Sequence, residues 1–131
     1  MERGYHIGYM LCQSSYANEL TLPAAKDLVY LGNTGCLTSP GWDDAQELAD
    51  CLASFVKMGV PDEDVSRLWR VVAALHLLGE LDFGPDDQDE AKLTDMSLVH
   101  KLCELVEIDE AATCRALTIK MSKIGADWIQ A

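Results

Sequence analysis

Between Leu68 and Leu78 the chain reads Leu-Trp-Arg-Val-Val-Ala-Ala-Leu-His-Leu-Leu, a run that is apolar on nearly every side once wound into a helix. A helix without a polar face cannot lie on a surface, so it belongs in the middle of a bundle. Its start is marked by Pro61, Asp62 and Glu63, a proline suited to a first turn followed by carboxylates that complement the positive end of the helix dipole. Glu63 and Arg67 are spaced to pair across one turn.

The neighbouring segments supply partners for that helix. Asp43 and Asp44 open a helix that stops near Gly59, with Ala45, Leu48, Leu52, Phe55 and Val56 as the expected buried stripe. Upstream, Ile7, Met10 and Leu11 recur at helical spacing within Arg3 to Cys12, although Gly4 and Gly8 each cost roughly 1 kcal/mol relative to alanine. Short helical segments are expected around Ala17 to Leu20 and from Pro23 to Tyr30, and then Gly32, Gly35, Pro40 and Gly41 punctuate a loop. Residues 82–93 form a sharply acidic, exposed loop carrying Asp86, Asp87, Asp89 and Glu90 beside Gly84 and Pro85. Helices resume at Asp95 to Val106, with Met96, Val99, Leu102 and Val106 inward, and at Asp109 to Leu117, with Asp109 as N-cap. Ile119 and Met121 then alternate with Lys120 and Ser122, Gly125 marks a turn, and Trp128 begins a second extended run, so residues 118–130 are expected to form a β-hairpin. The expected fold is mainly α, a helical bundle of one domain over residues 1–131 with a short C-terminal hairpin.

At 131 residues, 49% of them hydrophobic and 24% charged, the chain can bury roughly two thirds of its unfolded surface and falls outside the disordered class. A net charge of -12 opposes nucleic acid and anionic lipid surfaces, because such partners are held by Lys and Arg. The pairs Arg67 with Arg70, Lys92 with Lys101, and Lys120 with Lys123 are scattered among acidic neighbours and make no basic stripe. Five cysteines, an odd number lacking any two-residue spacing, read as reduced thiols of a cytoplasmic protein, and no apolar run is long enough to insert in a membrane.

No residue set for catalysis, metal or cofactor emerges. Asp82-Phe83-Gly84 spells the metal-binding tripeptide of protein kinases without the glycine-rich loop, strand lysine or catalytic aspartate that must accompany it. The acidic loop lacks the central glycine and closing glutamate of a calcium loop. His6, His76 and His100 have no neighbours that make a zinc set and read as packing or surface residues. Gly32-Asn33-Thr34-Gly35 lacks the lysine and following hydroxyl of a phosphate loop.

Four blocks in order resemble the myosin head. Glu2-Arg3-Gly4-Tyr5-His6-Ile7-Gly8-Tyr9 is similar to the Glu-Arg-Asn-Tyr-His-Ile-Phe-Tyr helix that follows switch I. Tyr30-Leu31, Gly35-Cys36-Leu37-Thr38 and Gly41-Trp42-Asp43-Asp44-Ala45 resemble the family's Tyr-Leu, Gly-Cys-Leu and Gly-Val-Asp-Asp-Ala stretch. Leu68 to Leu75, continuing through Gly79, Leu81 and Phe83, resembles the hydrophobic helix ending in Leu-Gly-Asn-Ile-Glu-Phe. Asp109, Ala112, Arg115 to Thr118 and Gly125 to Ile129 resemble the helix and hairpin leading into the cardiomyopathy loop. Departures fall at Gly4 and Gly8, where the family has bulkier residues, at His76, one position before the family's usual histidine, and at Glu80 in place of asparagine. Trp69, Leu77-Leu78 and the segment Leu117 to Ser122 look more like apicomplexan gliding-type unconventional myosins than muscle ones.

The resemblance implies a place between switch I and switch II, in the upper 50-kDa subdomain, with the nucleotide loops outside this chain. It implies an ATP-driven, actin-based motor as parent, cytoskeleton-associated, whose ATP and Mg are held elsewhere; this chain alone has no cofactor and is no enzyme. Its partners would be the rest of the motor domain and actin. Residues 82–93 fall where myosins have loop 4 and residues 118–128 on the arm of the cardiomyopathy loop. The actin-facing candidates are therefore Asp86, Asp87, Asp89, Glu90, Lys120, Lys123 and Trp128. The competing expectation is a free-standing helical interaction module with an acidic binding face.

Overall fold

The computed structural model describes residues 3–124 and 127–130, with the backbone alone for 122–124 and 127–130. Among these residues the chain is mainly α, as expected, with two short antiparallel hairpins. It divides into two compact units, Met1–Glu80 and Leu81–Ala131.

The first unit holds α1 (His6–Cys12), α2 (Ser15–Glu19), a 3₁₀ turn (Ala25–Asp27), α3 (Val29–Gly32), α4 (Asp44–Met58) and α5 (Asp62–Leu78). The helical segment expected at Pro23 to Tyr30 is instead the 3₁₀ turn followed by α3, and Pro23 precedes both, outside any helix. The expected helix from Arg3 starts only at His6, because Tyr5 is extended and no side chain caps the first turn. α1 packs against both α4 and α5. Tyr9, Leu28 and Leu31 form a buried cluster edged by Cys12 and Ala25, and the Tyr9 hydroxyl donates to the Leu31 carbonyl at 3.1 Å. Trp69 is fully buried and stacks on Tyr16 with ring centroids 5.9 Å apart.

Two expectations about burial in this unit need correcting. On α4 only Leu48 is buried, while Val56, placed in the inward stripe from its spacing, is 70% exposed. On α5 one side is buried through Val65, Trp69, Val72, Ala73, Ala74, His76 and Leu77, whereas Leu68, Val71, Leu75 and Leu78 are exposed. The apolar run is thus covered on one side only.

Helix ends follow local chemistry. The Asp43 carboxylate accepts from the Ala45 and Gln46 amides at 3.0 and 3.2 Å. The other end of α4 closes at Gly59 in the left-handed region, φ 73°, with Val60 N–H donating to Phe55 O and Gly59 N–H to Val56 O, both at 3.0 Å. Glu63 and Arg67 pair at 2.5 Å across one turn of α5, as their spacing predicts.

The second unit holds β1 (Phe83–Pro85), β2 (Ala91–Leu93), α6 (Met96–Val106), α7 (Glu110–Thr118), β3 (Met121–Ile124) and β4 (Asp127–Gln130). β1 and β2 pair antiparallel with Gly84 opposite Lys92, and β3 pairs with β4 with Ser122 opposite Ile129. The turn expected at Gly125 lies outside the described residues. α6 packs on α7, and α7 on β2, around Leu93, Val99, Leu102 and Cys103. Met96, expected inward, is exposed at the first residue of α6. Asp95 caps α6 through the Ser97 and Leu98 amides, and Asp109 caps α7 through the Ala112 amide at 2.6 Å.

Candidate functional site

The acidic stretch 82–93 holds the β1–β2 hairpin, and its carboxylates cluster at the turn. Asp86 N–H donates to Glu90 O at 2.8 Å, Asp89 N–H donates to Asp86 O at 3.1 Å, and Asp89 takes a left-handed φ of 63°. This is a three-residue hairpin loop, Asp87 to Asp89, built as a turn followed by one left-handed residue. The Asp86 carboxylate accepts from the Gln88 and Glu90 amides at 2.8 and 2.9 Å. Those N–H groups, Glu90 first and then Gln88, hold its pKa below the usual aspartate value. Asp86 therefore serves the turn itself, while Asp87, Asp89 and Glu90 are exposed around it.

Beside this turn lies a groove of about 380 Å³, walled by Asp86, Glu90 and Lys92 from the hairpin and by Cys114, Thr118 and Ile119 from the end of α7. Exposed Lys120 follows directly in sequence. The acidic turn and the start of the C-terminal arm thus border one groove. Lys123 and Trp128 face each other in the β3–β4 register, and their side chains lie outside the described residues.

A second charged cluster escaped the sequence reading. His100 on α6 lies 3.0 Å through Nδ1 from Glu110 on α7 and 3.5 Å through Nε2 from Glu104. The hydrogen bond to Glu110, and then the charge of Glu104, raise its pKa. The i,i+4 spacing to Glu104 was visible in the sequence, whereas the approach of Glu110 depends on how α7 folds back on α6.

In the first unit, Arg3 forms a nearly buried ion pair with Asp44 and lies 3.8 Å above the Tyr9 ring. Neighbouring Cys12 has its thiol pKa raised by burial and then by the Asp44 charge. His76 is buried, with its pKa lowered by desolvation against an opposing pull from Glu80.

The glycine loop and the Asp82-Phe83-Gly84 segment are held by local hydrogen bonds. The Thr34 hydroxyl of the Gly32 to Gly35 loop donates to Leu31 O at 2.9 Å, which occupies it in a turn. In Asp82-Phe83-Gly84 the carboxylate accepts the Phe83 amide at 3.1 Å as β1 begins. Among the described residues no group of three or more His, Cys, Asp or Glu side chains is placed to hold a metal ion. Nor, among them, is any helix long and apolar enough to cross a membrane.

Comparison with known proteins places the chain in a family. The chain is 29% identical over 123 residues to Myosin-1 of Aspergillus niger and equally to Myosin-1 of Emericella nidulans, covering 92% of this chain and 10% of each relative. Myosin-1 of Pyricularia oryzae is 30% identical over the same share of both chains. The chain thus spans about a tenth of the length of the curated relatives it matches. The family model for the myosin head (motor domain) matches residues 1–131, and the chain belongs to that family.

Proposed function

We propose that this chain is part of an ATP-driven, actin-based motor, serving as a structural and actin-facing piece of the head, with the nucleotide-binding loops elsewhere in the parent. The single observation that carries this reading is the head-family match over the whole chain. The phosphate-like glycine loop is closed on itself by Thr34, which supports placing ATP and Mg outside these residues. Phosphoryl transfer requires amides, a lysine and magnesium gathered around the γ-phosphate. The piece alone is then no ATPase, and its partners are the rest of the head and actin, in a cytoplasmic, cytoskeleton-associated setting.

The groove beside Asp86 and Glu90, with the arm that starts near Lys120, is the actin-facing edge in this reading. Reading the flanking frame tests it: a glycine-rich Lys-Ser/Thr loop should lie upstream and a switch II strand downstream. Stop codons in their place would refute the parent motor. The exposed acidic turn also favours a second reading, a free-standing module that takes a basic protein partner. Salt-sensitive binding to such a partner, without sedimentation with actin filaments, would establish that reading instead.

A further inference from the structure

We infer that His100 is a proton-operated clasp: charged, it ties the start of α7 to α6, and on losing its proton it loosens that hold. The geometry is complete only for the charged ring. Nδ1 lies 3.0 Å from Oε2 of Glu110 on α7, and Nε2 lies 3.5 Å from Oε1 of Glu104 on α6. A neutral imidazole carries one N–H and one lone pair, whereas the imidazolium presents an N–H at both nitrogens. With the ring neutral, one of the two carboxylates therefore faces a lone pair and is repelled.

The charge around the ring is one-sided. A groove of about 450 Å³ at the α6–α7 junction is lined by His100 together with Glu104, Glu107, Asp109 and Glu110, beside the buried Cys103. Among the described residues that line it, only His100 can supply positive charge. Asp109 is committed to the Ala112 amide as the cap of α7, and Glu107 makes the turn in the left-handed region at φ 57°. Glu107 and Lys101, the neighbouring cation on α6, each have interactions of their own.

Helix α7 gives such a clasp leverage, because none of its residues is buried. It rests on α6 and on β2, and its far end walls the groove beside the acidic turn through Cys114 and Thr118. A proton lost at Glu110 thus loosens a wall about 12 Å away, eight residues at roughly 1.5 Å each. The direction of the pH effect follows from the two carboxylates. The hydrogen bond from Glu110, and then the charge of Glu104, hold the folded pKa of His100 above its ordinary 6.5. The clasp is closed below 6.5 and opens as pH rises through the folded value. It works in the same sense whichever partner the acidic turn meets.

Hydrogen exchange of the intact protein, read peptide by peptide by mass spectrometry, tests the clasp. Corrected for intrinsic rates, the protection of α7 amides relative to α4 amides should fall by about threefold between pH 6.5 and pH 8.5, the size that exposed pairs of this kind support. His100→Arg, a cation at either pH, should keep the higher protection at pH 8.5, and His100→Gln should show the lower one already at pH 6.5. The slow exchange of the ring Cε1–H in the same peptide should titrate above 6.5 and move back toward it in Glu110→Gln. A flat profile in the native protein, or a pH dependence of α7 that survives in His100→Gln, would overturn the inference. A ring that titrates at or below 6.5 would do the same.

Discussion

A Cβ built on Gly8 would stand 2.4 Å from Nε2 of His76 and 2.9 Å from Cδ2 of Leu31. Glycine at this point in α1 therefore lets the imidazole of α5 lie directly on the helix backbone. Two departures from the myosin pattern, Gly8 and the displaced histidine, meet here in space although 68 positions separate them in sequence (76 − 8). We expect Gly8→Ala to destabilise the fold by about 2 kcal/mol, the usual cost of overpacking a close contact. Adding His76→Ala should recover part of that loss, because the two side chains compete for one volume. Urea midpoints of the four proteins in the cycle measure the coupling, and strict additivity would show that the imidazole is not the obstacle.

His76 also makes stability depend on pH. Burial lowers its folded pKa below 6.5, so between that folded value and 6.5 the unfolded chain binds more protons than the folded one. Stability is then lost as pH falls below about 6.5, the value for an unperturbed histidine. His100 acts in the opposite sense: its raised pKa gives a contribution present below 6.5 and lost as pH climbs through the folded value. The two signs separate in mutants. In His76→Gln the loss of midpoint between pH 7.5 and 5.5 should shrink, and in His100→Gln it should grow.

At the scale of elements, both ends of α4 and the starts of α6 and α7 were legible because their causes are local. Asp43, Asp95 and Asp109 each bond amides two or three residues on, and Gly59 takes the left-handed conformation that ends α4. Gly59→Ala should cost about 1 kcal/mol through backbone strain alone, since no atom stands within 4 Å of the added methyl. A urea midpoint unchanged by that substitution would contradict the strain. Burial was less legible. Val56 and Leu75 carry the same apolar spacing as covered residues, but spacing states which side a residue is on and not whether anything covers it. The β1–β2 hairpin was hidden for another reason: its strands are three residues each, too short for an alternating pattern. Its left-handed turn residue is Asp89, where a glycine would have announced the turn.

For the whole molecule, charge is the property that reaches furthest. With 22 acidic against 10 basic side chains, the chain presents a negative field to any partner, and the β1–β2 turn concentrates it. The actin-facing reading sets that turn against an acidic filament, so the carboxylates act there as brakes on binding. Which residues share this edge was only partly visible in the sequence. Asp86 and Glu90 could be named from composition, but their place beside Thr118 and Ile119 required the packing of α7 on β2. Because exposed charges interact by tenths of a kcal/mol to about 1 kcal/mol each, reversing two of them should have a modest, salt-dependent effect. In the parent head, Asp87→Lys with Glu90→Lys should tighten binding to actin filaments by about threefold at low salt, and the gain should vanish near 0.5 M salt as screening shortens to a few ångströms. Asp86 is left unchanged because its carboxylate holds the turn through the Gln88 and Glu90 amides. Cosedimentation at both salt concentrations decides the matter. Equal affinity for the reversed and native heads at low salt would place this turn away from the filament, while weaker binding would mean that the turn meets a basic surface.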